Sequence, residues 1–376
     1  MKKILFHIFL AAGLTGCIYP YTPDLEETAS ETIVVDGKIL IGGTSTIQLS
    51  YVTPLEGQVG YYAWPRGKAW IEDEQGNRYG STNVGSYTLS IDTRDAPMGR
   101  NYRAVVEADG ETYTSDWLTP DPAPTITNIS FVADDNNVVV YVDLDAGLGG
   151  SGYIGFTYEE TWEFHSDFYP EWDVNPGSWT YINLMESQFE YPYYWCWRSM
   201  NSPQMVLLDY SGFQGSDVRR FPLKTFSRTN SRNHKRYSIN VRAFALSKDA
   251  YLYNKTLQEI SEIGGDLFSP DPGAMPSNLT CESNPEKKVM GMVLAGNVVS
   301  KRAFMYNQYL ITIPAYYDFV KVEKGEMPVY YNNMNFRPVM EVHNDENGTF
   351  IGWAPHRCIN CIEAGGTQER PDFWED

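Results

Sequence analysis

A mainly β fold is predicted by three features of this chain. Aromatic residues make up 14% of it, with 27 Tyr, and strands favour such side chains. Short runs alternating apolar and polar residues recur at spacings of roughly 8–15 residues, separated by turn residues. One segment, 247–263, stands out as a helix.

The chain opens MKKILFHIFLAAGLTGC. Lys2 and Lys3 precede an apolar run from Ile4 to Leu14 that is too short to span a bilayer, so it reads as a signal peptide covering 1–16. Leu14-Thr15-Gly16-Cys17 is a lipobox, and it assigns the diacylglyceryl group to Cys17. Residues 17–31 then form a polar, Pro-containing tether.

From Thr32 the strands begin. Thr32–Val35 leads to the turn residues Asp36-Gly37, and Thr46–Ser50 alternates. Ala69–Asp73 runs into Gln75-Gly76-Asn77, a hairpin signal, and Tyr87–Ile91 and Tyr102–Val106 follow. Asp109-Gly110 turns the chain into Thr112–Ser115. Roughly seven short strands without a Cys-Trp-Cys core predict an immunoglobulin-like sandwich over 32–119. Pro120, Pro122 and Pro124 make a stiff linker. A larger, fibronectin-III-like β domain is expected over 125–376, opening with Ile126–Phe131 and the buried strand Val138–Val142.

Within that domain Tyr153–Phe164 is a strand, and 166–205 is an aromatic, turn-rich insertion. The strand Tyr237–Ala243 delivers the chain to Ser247, a helix N-cap, with Asp249 in the first turn. Ala250, Tyr253, Leu257, Ile260 and Ile263 share one face, and Gly264-Gly265 ends the element. Further strands are expected near 289–295, 301–306 and 309–313.

Formal net charge is −19. An acidic surface excludes nucleic acid as a natural partner, since phosphate binding needs basic patches. It also leaves the lipid, not anionic headgroups, as the membrane anchor. Beyond Cys17 the cysteines are Cys196, Cys281, Cys358 and Cys361. In an oxidising compartment an even number suggests two disulfides, with three pairings open. The favoured pairing joins Cys358 to Cys361 as a local clasp and Cys196 to Cys281 as a long-range staple. The competing reading of Cys358-Ile-Asn-Cys361 is half a zinc site, with His356 as its near neighbour.

No G-x-S-x-G, H-E-x-x-H, P-loop or dinucleotide fingerprint is present, and the glycine-dense 147–152 lies between β segments. His165, His234, His343 and His356 are scattered. Glu159, Glu160 and Glu163 contain the carboxylates a glycosidase would need, but on a strand Glu159 and Glu160 point to opposite faces. Asp134–Asn137 and Asp143 with Asp145 offer oxygens to calcium without the spacing of a calcium loop. No catalytic residue, cofactor or metal is therefore assigned. The insertion is the strongest candidate surface. Trp172, Trp179, Tyr191, Tyr193, Tyr194, Trp195 and Trp197 are set out as interface or ligand-stacking residues, against the alternative that they cover the domain's core.

Several motifs, in this order, carry a resemblance. They are the lipobox and tether, Ile33-Val34-Val35-Asp36-Gly37, Cys196-Trp197 and the run 237–272. Asn278-Leu279-Thr280-Cys281, Asn284-Pro285-Glu286, Cys358-Ile359-Asn360-Cys361, Gly365-Gly366-Thr367 and Pro371-Asp372-Phe373-Trp374 follow. Together they resemble the Bacteroidota lipoproteins grouped as "domain of unknown function 4249". That resemblance implies a surface-exposed, outer-membrane lipoprotein partnered with a SusC-type TonB-dependent transporter, and it brings no catalytic residues. The expected function is a non-enzymatic accessory or cargo-binding partner of that transporter. The alternative is a structural or assembly component, either an adhesin-like module or a subunit of an outer-membrane biogenesis complex.

Overall fold

The computed structural model describes residues 32–52, 65–122, 124–145, 152–187, 190–213, 217–263, 275–306, 318–344 and 348–375. Cys17, the tether, Gly264-Gly265 and the run 309–313 lie outside the described residues. In chain order come β1 (Ile33–Ile41), β2 (Thr44–Tyr51), β3 (Gly67–Asp73), β4 (Arg78–Gly80), β5 (Thr88–Asp92), β6 (Tyr102–Ala108) and β7 (Glu111–Ser115). Past the prolines are β8 (Thr125–Ala133), β9 (Asn137–Asp145), β10 (Tyr153–His165), β11 (Trp172–Asn175) and β12 (Thr180–Asn183). Next are β13 (Trp195–Asn201), β14 (Val206–Asp209), β15 (Val218–Ser227), β16 (Arg236–Leu246) and helix α1 (Lys248–Ile263). The last are β17 (Leu279–Cys281), β18 (Val289–Met290), β19 (Val293–Tyr306), β20 (Val320–Lys321), helix α2 (Met327–Asn332), β21 (Phe336–Asn344) and β22 (Gly348–Pro355). The protein is mainly β, with sandwich-like sheets.

One sheet of nine described strands runs through the molecule in the order β13-β10-β16-β19-β1-β2-β5, with β14 beside β10 and β18 beside β1. The prolines at 120–124 part the chain but not this sheet. β1 lies parallel to β19, with Gly37 opposite Val293 and Ile41 opposite Asn297. The later segment also returns to the first sandwich. β17 extends β7, setting Cys281 opposite Tyr113, and β18 pairs with the start of β1.

Asp36-Gly37 is not a turn, contrary to the expectation from sequence. β1 continues through it, and Gly37 N–H donates to Met292 O at 2.9 Å. A side chain at Gly37 would point into the sandwich, where its Cβ would lie 2.8 Å from Val293 Cγ2 and 2.9 Å from Ile47 Cδ1. Glycine here reflects close packing, not a bend. Because the strand is unbroken, Ile33, Val35, Ile39 and Ile41 all face the first core and are fully buried. Each such side chain contributes about 1.5–3 kcal/mol of transfer free energy, offset by the entropy of ordering the chain. The opposite face of β1 presents Asp36, Lys38 and Leu40.

The first core lies between β1, β2 and β5 on one side and β17-β7-β6-β3-β4 on the other, where Leu49, Ile71, Leu89, Tyr102, Val106 and Tyr113 meet. The second lies between β10, β13, β16 and β19 and the sheet β15-β9-β8. Val140, Val142, Phe156, Trp162, Tyr237 and Ile239 form its centre. Buried among them is Glu160, only 1% exposed. It accepts hydrogen bonds from Lys224 Nζ at 2.6 Å, Arg232 Nε at 2.9 Å, Arg232 Nη2 at 3.0 Å and Tyr237 Oη at 2.7 Å. The Arg232 guanidinium also lies 4.2 Å from the Trp162 ring centroid, so the cation is partnered above and beside.

Helix α1 covers one end of the long sheet. Ser247 Oγ accepts from Ala250 N–H at 3.1 Å, which satisfies one of the helix's orphan donors. Ala250 and Tyr253 are buried, but Leu257 is 39% and Ile260 43% exposed. The apolar face is therefore only half covered, because the second half of the helix overhangs a groove.

Candidate functional site

The aromatic insertion is one half of a small third unit. β11 and β12 form a hairpin whose turn is held by Asn175, which accepts from Gly177 N–H at 2.8 Å. Trp179 follows that turn with φ of 51°, a left-handed conformation uncommon for a bulky residue. The hairpin packs on the sheet β20-β22-β21 and on α2, around the fully buried Trp353. Trp353 Nε1–H donates to Tyr181 Oη at 3.0 Å. Trp172 meets the edge of Tyr181 at 6.3 Å, and Trp179 meets Tyr331 at 5.9 Å. Both tryptophans are half-buried, and Trp179 packs against this unit's core. Local sequence hid the place of Trp179, because its partner Tyr331 comes from the segment 318–358.

The remaining candidates lie where this unit meets the ends of β10 and β16. Tyr191 sits edge-on to Tyr169 and Tyr193, and burial pushes its phenol well above the usual range. Tyr194 stacks on His165 at 5.0 Å, and His165 stacks in turn on His234 at 4.2 Å. Burial, then the neighbouring His165, hold the His234 imidazole down at about 4, so the His234 ring is neutral at physiological pH. Trp195 is 37% and Tyr193 39% exposed, and the Lys235 ammonium lies 4.9 Å from the Trp195 ring. Trp197 pairs its backbone with Thr367 in both directions at 2.8 Å. Of the seven sequence candidates, then, Tyr193 and Trp195 form an outward shelf, and the others are half-buried in packing.

The disulfide differs from the favoured pairing. Cys196 is bonded to Cys361, with Cα atoms 5.7 Å apart, and Cys281 and Cys358 are buried free thiols. Cys281 belongs to the first core and Cys196 to the second, so they cannot meet. Cys358 ends a single 3-10 turn packed against Val339 and Ile359, and burial pushes its thiol pKa up. The bond also removes Cys361 from any zinc site. Beside it, a Cβ on Gly366 would lie 2.6 Å from Cys196 Cβ, so only glycine passes there. The tail is pinned further by Trp374, whose ring meets Phe304 at 5.7 Å.

The carboxylates weighed as a glycosidase pair are committed elsewhere. Burial pushes the Glu160 carboxyl up, but the hydrogen bonds and charges of Arg232 and Lys224 outweigh it and hold the group below the usual range. That is the reverse of a general acid's tuning. Glu159, on the other face, lies 3.5 Å from Arg242 and 3.8 Å from Arg302. The calcium candidates are likewise engaged. Asp134 accepts from Asn136 N–H and Asn137 N–H in a turn, and Asp143 accepts from Arg220 N–H at 2.6 Å.

Sequence reasoning missed a groove of about 300 Å³ beneath α1. Its floor is the outer face of β1, β2 and β19, where Asp36, Lys38, Gln48 and Leu294 stand, and Leu257 and Gln258 overhang it. Tyr253 Oη–H donates to Asp36 at 2.6 Å, tying helix to sheet. Burial pushes the Asp36 carboxyl up despite that hydrogen bond, and burial lowers the Lys38 ammonium despite Asp36. Among the described residues Lys38 forms no ion pair within 4.0 Å. A second hollow, of about 440 Å³, shares Lys38 and Thr46 and extends to Arg242 and Ser300. The signal was present in sequence. Extending the strand through Gly37 places Asp36 and Lys38 together on the face opposite Ile33 and Val35. Tyr253→Phe is expected to lower stability by about 1 kcal/mol, read as a shift in urea midpoint; an unchanged midpoint would mean the contact does not anchor α1.

No curated protein matches this chain. Among solved structures it is similar to the crystal structure of the FN1-FN3 domains of chicken CNTN1, at 8% identity and a TM-score of 0.17. The match covers 56% of this chain and 59% of that one. The family model described as "Domain of unknown function (DUF4249)" matches residues 18–302, more than half of the chain, and the protein belongs to that family.

Proposed function

We propose that this protein is a lipid-anchored, non-enzymatic accessory of an outer-membrane TonB-dependent transporter, held at the cell surface through Cys17. The lipobox motivates the anchor, and the resemblance stated above motivates the partner. Acyl chains contribute about 0.8 kcal/mol per buried methylene, so several on one N-terminus give lasting attachment.

One observation carries the reading of how such a protein would work: the start of β1 and the aromatic shelf lie at opposite ends of the long sheet. Ile33 pairs with Val289, while β19, parallel to β1, runs on to Tyr306, opposite Arg236 beside the shelf. At strand rise this separation is about 50 Å. The shelf of Tyr193 and Trp195 is therefore held away from the start of β1, an arrangement suited to meeting a barrel's outer loops or its cargo.

Cys17→Ser is expected to move the protein from the membrane fraction to the soluble fraction, scored by fractionation and immunoblot. The wild-type protein, extracted in mild detergent, is expected to co-purify with a large barrel protein, and Trp195→Ala to reduce that recovery several-fold. Recovery without any barrel protein would sink the transporter reading. Loss of several unrelated outer-membrane proteins on deletion would favour an assembly role instead.

A further inference from the structure

The groove beneath α1 holds one acid and one base on the same strand face, two residues apart. By strand geometry the Asp36 and Lys38 backbones are about 6.6 Å from each other. Both side chains are half-buried, and neither charge is neutralised by a close ion pair among the described residues. A ligand that supplied both opposite charges would recover the hydration these groups have lost. A simple anion would meet Lys38 but suffer from Asp36, and a simple cation the reverse. A neutral sugar would find little to stack on, since Tyr253 is the one aromatic ring lining the groove among the described residues, and its hydroxyl is already given to Asp36. The walls add a further constraint, because Met205, Leu257, Met292 and Leu294 line the groove with flexible apolar surface.

We propose that this groove binds a small zwitterion of the amino-acid type, with its carboxylate on Lys38, its ammonium on Asp36 and its aliphatic side chain against Leu257 and Met205. The groove's volume of about 300 Å³ is at the small end of ligand sites, suited to a free amino acid or a dipeptide. Leu257 is exposed because it forms the rim of a binding site. This inference is independent of the membrane tether and of the transporter.

The test is calorimetric titration of the full mature chain in mild detergent with L-leucine, with Leu-Leu, and with acetate, n-butylamine and glucose as controls. Binding of leucine, of Leu-Leu or of both supports the proposal, and which one binds separates a free amino acid from a peptide source. Acetate and n-butylamine should bind at least about tenfold more weakly, since each loses one charge-assisted contact. Lys38→Gln and Asp36→Asn should each weaken zwitterion binding at least about tenfold. Because Asp36 also anchors α1, Leu257→Gln at the exposed rim provides a variant whose folding is not at issue, and it should weaken binding of leucine as well. The proposal is overturned if neither zwitterion binds the wild-type protein, if any control binds as tightly, or if Lys38→Gln with an unchanged melting midpoint binds as wild type does.

Discussion

Glu160→Gln is expected to destabilise the protein by about 3–5 kcal/mol, the range for breaking a buried ion pair from one side. The change keeps the size of the side chain but leaves Arg232 and Lys224 facing a neutral amide inside the second core. Tyr237, which donates to Glu160 Oε1 at 2.7 Å, loses its charged acceptor too. A pH dependence follows with a definite sign. The folded-state Glu160 pKa lies below its unfolded value, so the native state binds fewer protons than the unfolded chain. Its contribution is present above the unfolded glutamate value of about 4.3 and is lost as pH falls through the folded value. Urea unfolding at pH 7 and at pH 3.5 checks both statements: the wild-type midpoint should fall on acidification, and the variant's should fall less. A Glu160→Gln cost under about 1 kcal/mol would mean that water reaches the cluster and the pair is worth no more than a surface one.

Cys361→Ser is expected to cost about 2–4 kcal/mol, because the Cys196–Cys361 bond closes a loop with a sequence separation of 165. The bond ties the C-terminal segment to β13, so its loss should also loosen Thr367 from Trp197 and the packing of Trp374 on Phe304. Cys358→Ser removes no cross-link and should cost less. Alkylation of the unfolded, unreduced protein should label Cys281 and Cys358, with Cys196 and Cys361 labelled only after reduction. Protection of Cys358 under those conditions would instead support the Cys358–Cys361 clasp expected from sequence.

The departures of this fold from what local sequence predicts share a cause. Cys358 and Cys361 are close in sequence, so a local clasp was favoured, but a single 3-10 turn directs Cys358 toward Val339 and Cys361 toward Cys196. Trp179 could be weighed as interface or as core cover but not decided between them, because the ring it meets, Tyr331, lies about 150 residues later. Asp36-Gly37 predicts a turn because that pair usually makes one, and only the approach of Val293 and Ile47 shows why a strand would keep a glycine there. In each case the deciding neighbour was distant in sequence. The alternation of Ile33, Val35, Ile39 and Ile41, the Ser247 cap and the opposed directions of Glu159 and Glu160 are set by local geometry, and these were legible.

The sequence by itself determined that the chain would be built mainly from strands, since a period of two is written into neighbouring residues and survives any arrangement of the sheets. It also carries Leu14-Thr15-Gly16-Cys17, the linear motif on which the proposed lipid anchor rests. Only the tertiary structure decided that the central sheet runs unbroken past the prolines, which sulfur meets Cys196, and that Asp36, Lys38 and Tyr253 share a groove. Those are matters of which strand lies beside which, and parallel pairing of β1 with β19 depends on burying two cores at once, a condition no single stretch of residues contains.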